Sequence, residues 1–181
     1  MKINRRAALK VGGTGAVLAA AGGVWQAWEQ GVWSAGEGPA YEPWRRWRSD
    51  PSEGPLALVR AAILAANPHN SQPWLFRVGA SRIDLFADPA RDIGAVDPDH
   101  REMYIGLGCA LENLLLAAGA RGLAWRLALM PDRAHATHVA RIDLTPGPRA
   151  TSELYEAIPH RHTNRGPYDR SRAVPPTSWT R

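Results

Sequence analysis

The chain has one cysteine in 181 residues, Cys109, so no intramolecular disulfide can form. It lies in an apolar helical pattern, where a thiol reads first as a small buried hydrophobe and second as a reactive group. There is no Gly-rich phosphate loop of dinucleotide type and no internal repeat. Metal binding has little to rest on. The pairs His135/His138 and His160/His162 show no carboxylate or cysteine at a ligand spacing, which favours solvated histidines. Asp84, Asp88, Asp97 and Asp99 are scattered as turn and cap residues are, not paired for acid–base work. The net charge is +5, but residues 1–34 hold Lys2, Arg5, Arg6 and Lys10 against Glu29 alone. That leaves +2 for the remainder, an ordinary balance that does not call for a nucleic-acid partner. With 45% hydrophobic and 22% charged residues, the chain can bury the core of one globular domain.

The N-terminus has the plan of an export address. Asn4-Arg5-Arg6-Ala7-Ala8-Leu9-Lys10 is a charged segment, and the run from Val11 to Trp28 after it is uncharged. Five glycines, Thr14 and Gln26 make that run weakly hydrophobic for a permanent span, which needs about 20 strongly apolar residues. Arg5-Arg6 with Leu9 and Lys10 resembles a twin-arginine (Tat) signal, although Ala8 and Asn4 depart from its usual residues. A retained anchor competes, because no clear A-x-A site follows and Trp25, Trp28 and Trp33 cluster at the distal end. A basic amphipathic helix kept in the cytoplasm is the third alternative. The expectation is export by the Tat machinery to the periplasm or the outer face of the cytoplasmic membrane, with a membrane tether left open. Residues 1–34 are thus read as address and 35–51 as linker. Within the linker, Trp44-Arg45-Arg46-Trp47-Arg48 could meet nucleic acid or lipid headgroups, or pack its tryptophans on the domain.

From residue 52 the pattern is that of a folded domain. Ser52 is placed to cap a helix with Glu53 and Pro55 in its first turn and Leu56, Val59 and Ile63 on one face. Asn67-Pro68-His69-Asn70-Ser71-Gln72-Pro73-Trp74 interrupts regular structure, on a backbone that the two prolines should hold extended. Leu75–Val78 and Arg82–Ala87 flank Gly79-Ala80-Ser81 as a hairpin. Asp97 and Pro98 signal the start of the longest helix, with Met103, Leu107, Ala110, Leu111, Leu114, Leu115 and Ala118 as its stripe and Gly119 and Gly122 as its stop. Asn113 is a polar exception that needs a partner. Leu123–Met130 and Thr137–Leu144 read as strands, and Thr151 as the cap of a short helix through Leu154 and Ile158.

Two motifs carry chemistry. The Asn67–Trp74 loop offers amides, carbonyls and a hydroxyl to a flat, polar-edged ligand. Arg161-His162-Thr163-Asn164-Arg165 sets two guanidiniums four residues apart around a hydroxyl, a donor set suited to phosphate oxygens. Its alternative is a solvated basic loop.

The loop resembles the N-x-Q-P-W loop of the nitroreductase family, the arginine motif resembles that family's R-x-S-x-R/K motif, and Arg101–Leu123 resembles its central helix. The loop precedes the arginine motif, the order of the Acg-like branch, in which two nitroreductase-like halves share one chain. The resemblance, over roughly Trp44 to Pro176, implies an α+β, nitroreductase-like layered fold with a central buried helix. It implies a half-domain at 52–160 and the start of a second half at 161–181. That second half should continue well beyond Arg181, so the chain is expected to be truncated or a piece of a longer protein, with the second half largely missing. It could need that missing half or a partner chain to bind flavin. The implied cofactor is FMN, held at its ring by Asn67, Pro68, Asn70 and Gln72 and at its phosphate by Arg161, Thr163 and Arg165. The implied reaction passes electrons from NAD(P)H through FMN to a nitroaromatic or quinone-like acceptor, with no catalytic side chain required. Two alternatives stay open: a non-catalytic flavin-binding or flavin-sequestering protein, and a membrane-tethered remnant without a ligand.

Overall fold

In the computed structural model, residues 22–26, 28, 38–47, 54–163, 166, 167 and 169–171 are described. The expectations placed on Arg5, Arg6, Trp33, Ser52, Glu53 and Arg165 lie outside them. The chain divides into two compact units, residues 1–49 and 50–181.

In the first unit, Pro39–Tyr41 forms a 3-10 turn that runs into one helical turn, Glu42–Arg45. The Arg45 Nη2 donates to the Gly38 carbonyl at 2.6 Å, and Arg46 approaches Glu42 at 3.6 Å. Two cations of the Trp/Arg run are therefore engaged within their own unit.

The second unit is α+β. Helix α1 (Pro55–Ala62) precedes the hairpin β1 (Trp74–Val78) and β2 (Arg82–Ala87). Helix α2 (Arg101–Ala120), strands β3 (Leu123–Leu129) and β4 (His138–Pro146), and the short α3 (Glu153–Ala157) follow. The four strands form one antiparallel sheet in the order β1-β2-β4-β3. Alternation along β2 and β4 sends Ile83, Leu85, Ala140, Ile142 and Leu144 into the core. There they meet Leu58 and Leu64 from α1 and its exit, and Leu107, Ala110 and Leu114 from α2. All of the expected α2 stripe is buried except Leu115, which is half-buried. Each fully buried leucine contributes about 1.5–3 kcal/mol, so this stripe is the main support of the unit. Asn113 finds the partner it needs: its Nδ2 donates to the Ala61 carbonyl at 3.0 Å and ties α2 to the end of α1.

Several local expectations are corrected. Gly54 stands at the N-cap of α1. Its buried face is Ala57, Leu58, Ala61 and Ala62; Leu56 points outward at 59% exposure, because the small alanines allow the closer approach to α2. Helix α2 begins at Arg101, after a left-handed His100, so Pro98 is not its first residue. Asp97 still caps it from a distance, accepting from the amides of Glu102 at 3.1 Å and Met103 at 2.9 Å. Burial acts against the Asp97 carboxylate, but those amides outweigh it and hold its pKa below the usual value. Gly119 is helical, and Gly122, at φ 74, makes the reversal into β3 that a side chain would resist. Ser152, not Thr151, caps α3, accepting from the Tyr155 amide at 3.2 Å.

Asp84 is a strand residue, not a turn residue. It is buried and accepts from Arg141 Nε at 2.9 Å, with His138 Nε2 at 2.8 Å. Burial would raise its pKa, but Arg141 and then His138 win and lower it. His138 is therefore buried and paired, not solvated, and its ring stacks on Phe86 at 4.4 Å. His135 does have a carboxylate neighbour, Asp132, at 2.8 Å. No group of three possible metal ligands occurs among the described residues.

Candidate functional site

The segment after α1 is not held extended. Pro68–Asn70 forms a 3-10 turn, and His69, Asn70 and Gln72 have left-handed φ values of 49°, 57° and 51°. Three non-glycine residues in that region are costly, and Gln72 is further disfavoured because Pro73 follows. Such a backbone persists only where its surroundings fix it. The Asn67 side chain does much of this: its Oδ1 accepts from the Gln72 amide at 2.9 Å, and its Nδ2 donates to the Ala65 carbonyl at 3.3 Å. Ser71 N donates to the Pro68 carbonyl at 2.9 Å, and Arg91 reaches the Ser71 carbonyl at 3.3 Å. Pro73 and Trp74, both buried, anchor the exit into β1. The Ser71 hydroxyl is buried without a partner.

Helix α2 passes directly beneath this loop at Gly106. A Cβ there would stand 3.3 Å from both Asn67 Cβ and Pro68 Cδ. On the open side of that contact lies a cleft of about 270 Å³. Its walls are Ala66, Asn67 and Pro68 from the loop, Glu102, Ile105, Gly106 and Cys109 from α2, and Thr163 from the segment after α3. The lining is mostly apolar, and Glu102 is its charged member among the described residues.

The structure thus joins residues from the two motifs that are far apart in sequence. Asn67, Pro68 and Thr163 share one cleft. Arg161 explains how: its Nη2 donates to the Leu64 carbonyl at 3.0 Å, fastening the chain after α3 to the end of the α1 segment. Asn70 and Gln72 are exposed and bonded to each other through Gln72 Nε2 and Asn70 Oδ1 at 3.3 Å, at the loop tip beyond the cleft lining. Arg165 is outside the described residues.

Sequence reasoning missed the α2 wall. Cys109, read as a buried hydrophobe, is partly exposed in the cleft, because the α2 stripe turns past it. Gly106 could have been noticed: a glycine inside a helix costs about 1 kcal/mol relative to alanine and asks for a close approach in return.

An apolar wall of Ala66, Pro68 and Ile105, with Asn67 and Thr163 as neutral polar members, suits one face and edge of an isoalloxazine ring. Small-molecule pockets are typically about 300–1,000 Å³. A cleft of about 270 Å³ therefore matches part of such a ligand and does not enclose it.

No protein-family model matches the chain. Over 113 residues it is 33% identical to a protein of Mycobacterium tuberculosis named "Putative NAD(P)H nitroreductase", a match covering 61% of this chain and 33% of that protein. Over 115 residues it is 32% identical to "Putative NAD(P)H nitroreductase acg" of the same organism, covering 62% and 35%. The chain spans about a third of the length of these curated relatives. Among solved structures, it aligns with one named a putative nitroreductase in complex with FMN from Desulfovibrio desulfuricans. That match has 21% identity, covers 74% of this chain and 99% of the other, and has a TM-score of 0.41. A second, named a putative NADH oxidase from Clostridium acetobutylicum, has 18% identity, coverage of 65% and 83%, and a TM-score of 0.41. Over about three fifths of its own length, then, the chain is similar in sequence to proteins named NAD(P)H nitroreductases.

Proposed function

We propose that this chain contributes the ring-side part of an FMN site in an NAD(P)H-dependent oxidoreductase of nitroreductase type. The observation that carries the reading is the single cleft that joins Asn67 and Pro68 to Thr163. The sequence likeness to NAD(P)H nitroreductases supports it. When bound, FMN would supply the redox chemistry, taking electrons from NAD(P)H and passing them to an acceptor such as a nitroaromatic or a quinone.

The chain's own work is placement. Pro68 and Ile105 would supply the apolar surface for the ring. Thr163 would offer a hydroxyl, and Arg165 a guanidinium, to the phosphate. Arg161 does less of this than its motif implies, because one arm of its fork is already used on Leu64. Asn70 and Gln72 would reach a ring edge only from the loop tip. Substrate acceptors, any partner chain and the Tat route to the cell exterior belong to the same proposal; the route rests on Arg5-Arg6 and the weakly apolar run after them.

The test is equilibrium titration with FMN and with riboflavin. FMN should bind at least about tenfold more tightly, since a charge-assisted phosphate bond contributes about 1.5–3 kcal/mol. Arg165→Ala should narrow that gap and leave riboflavin binding nearly unchanged. Equal binding of the two ligands, or no binding of either by a chain extended through the second half that the resemblance implies, would sink the reading.

A further inference from the structure

The geometry points to Gly106 as a positioning residue that sets the seat of the Asn67–Pro68 turn, and through it the width of the cleft. The inference about the cleft's ligand rests on the flavin reading above; the inference about the loop does not.

Four observations converge. A Cβ on Gly106 would lie 3.3 Å from Asn67 Cβ, 3.3 Å from Pro68 Cδ and 3.4 Å from Asn67 Cα. The two 3.3 Å distances are tighter than ordinary contact and the third stands at its edge, and two of the three atoms are stiff: a proline ring carbon and a backbone carbon. The turn above Gly106 holds left-handed His69, Asn70 and Gln72, so it has little slack with which to yield. The residue most affected, Asn67, is also the one whose side chain bonds Gln72 N and Ala65 O. Finally, Gly106, Asn67 and Pro68 all line the cleft, so a displacement at their contact is a displacement of its wall.

The bland alternative is a tolerated glycine with no role beyond helix packing. The same helix supplies the control. Gly108, two residues on, is exposed, and a Cβ there would meet nothing within 4 Å. Alanine should favour the helix at both positions by similar amounts. Any difference between Gly106→Ala and Gly108→Ala therefore reports the contact with the turn.

The experiment uses the full chain and two readouts. Amide hydrogen exchange follows Ser71 and Gln72, whose N–H groups bond to the Pro68 carbonyl and to Asn67 Oδ1. FMN titration follows the cleft. Gly106→Ala should speed exchange at Ser71 and Gln72 and weaken FMN at least about threefold, because a wall shifted by a fraction of an ångström is costly to a fitted ligand. Gly108→Ala should match the parent in both. Pro68→Ala removes the ring carbon that faces Gly106, so Gly106→Ala should do less damage in that background than alone, a coupling the bland reading does not predict. This cycle also decides the matter if Gly106→Ala alone folds poorly. Unchanged exchange and FMN affinity in Gly106→Ala, or strictly additive effects with Pro68→Ala, would overturn the assignment. If the parent binds no FMN, hydrogen exchange at Ser71 and Gln72 still decides the role of Gly106.

Discussion

Arg161 and Leu64 are joined by a 3.0 Å hydrogen bond from Nη2 to the backbone carbonyl, across 97 positions of sequence. The bond closes the chain after α3 onto the end of the α1 segment and brings Thr163 to the cleft that Asn67 and Pro68 line. A residue that the sequence marks as a phosphate ligand serves here first as a fastener.

That assignment separates Arg161 from Arg165 by experiment. Arg161→Ala should lower stability by about 1 kcal/mol, less than the usual contribution of a bond from a charged group, since the residue is exposed. It should weaken FMN and riboflavin together. Arg165→Ala should weaken FMN alone. Arg161→Lys should recover part of the loss, because an ammonium can reach a carbonyl but lacks the planar fork. Urea midpoints and the two ligand titrations check this. Selective loss of FMN in Arg161→Ala, at unchanged stability, would return the residue to the phosphate.

Asn113→Ala should cost about 1 kcal/mol, since the Ala61 carbonyl loses its 3.0 Å side-chain donor at the contact of α1 and α2 and keeps only the Leu64 amide at 3.2 Å. The measurement is the shift in urea midpoint at constant slope. The consequence for the site should be small, because Leu107 and Leu114 remain to hold α2 in place. A variant as stable as the parent would show that the Leu64 amide alone satisfies the carbonyl.

Asp97 makes the start of α2 sensitive to acid. Its carboxylate is held below the usual pKa by the amides of Met103, Glu102 and Arg101, which outweigh the opposing effect of burial. A depressed folded-state pKa gives stability that is present above the unfolded value, about 3.9, and is lost as pH falls through the folded one. Asp84, held low by Arg141 and His138, acts in the same direction. Stability should therefore decline below about pH 4. Asp97→Asn should flatten that decline while lowering stability at neutral pH. Thermal unfolding from pH 3 to pH 7 checks it, and an Asp97→Asn profile parallel to the parent's would refute it.

The architecture was legible because its signals are strong and local. Alternation at Ile83, Leu85 and Ala87 gave β2, and a stripe of seven apolar residues gave α2. Caps are less legible. Several polar residues stood near each helix start, and only tertiary placement chooses Ser152 over Thr151 or lets Asp97 act from before the left-handed His100. The two chemical motifs were visible as donor sets, but not their division of labour. Nothing local to Arg161 reveals Leu64, and nothing local to Gly106 reveals Pro68; both contacts depend on where α1 ends relative to α2. Prolines suggested an extended loop, whereas side-chain bonds from Asn67 hold a coiled one.

The coiled loop gives the last prediction, which concerns how Asn67 acts. Its side chain accepts from Gln72 N and donates to Ala65 O, so both ends of the amide are occupied within the loop. It should therefore influence a ligand chiefly through the backbone of His69–Gln72, although one N–H and one lone pair of the amide remain on the cleft wall. Asn67→Asp keeps the acceptor for Gln72 N and loses the donor to Ala65 O; Asn67→Ala loses both. Hydrogen exchange at Gln72 should be slowest in the parent, intermediate in Asn67→Asp and fastest in Asn67→Ala. Flavin affinity should follow the same order. His69→Gly offers an independent check. Glycine takes the left-handed conformation at little steric cost, so it should be tolerated at φ 49°, whereas His69→Val should cost at least about 1 kcal/mol more, because a branched side chain is strongly disfavoured there. If Asn67→Asp weakens FMN sharply while Gln72 stays protected, the Asn67 amide meets the ligand itself, and the loop's internal bonds are not what fixes the site.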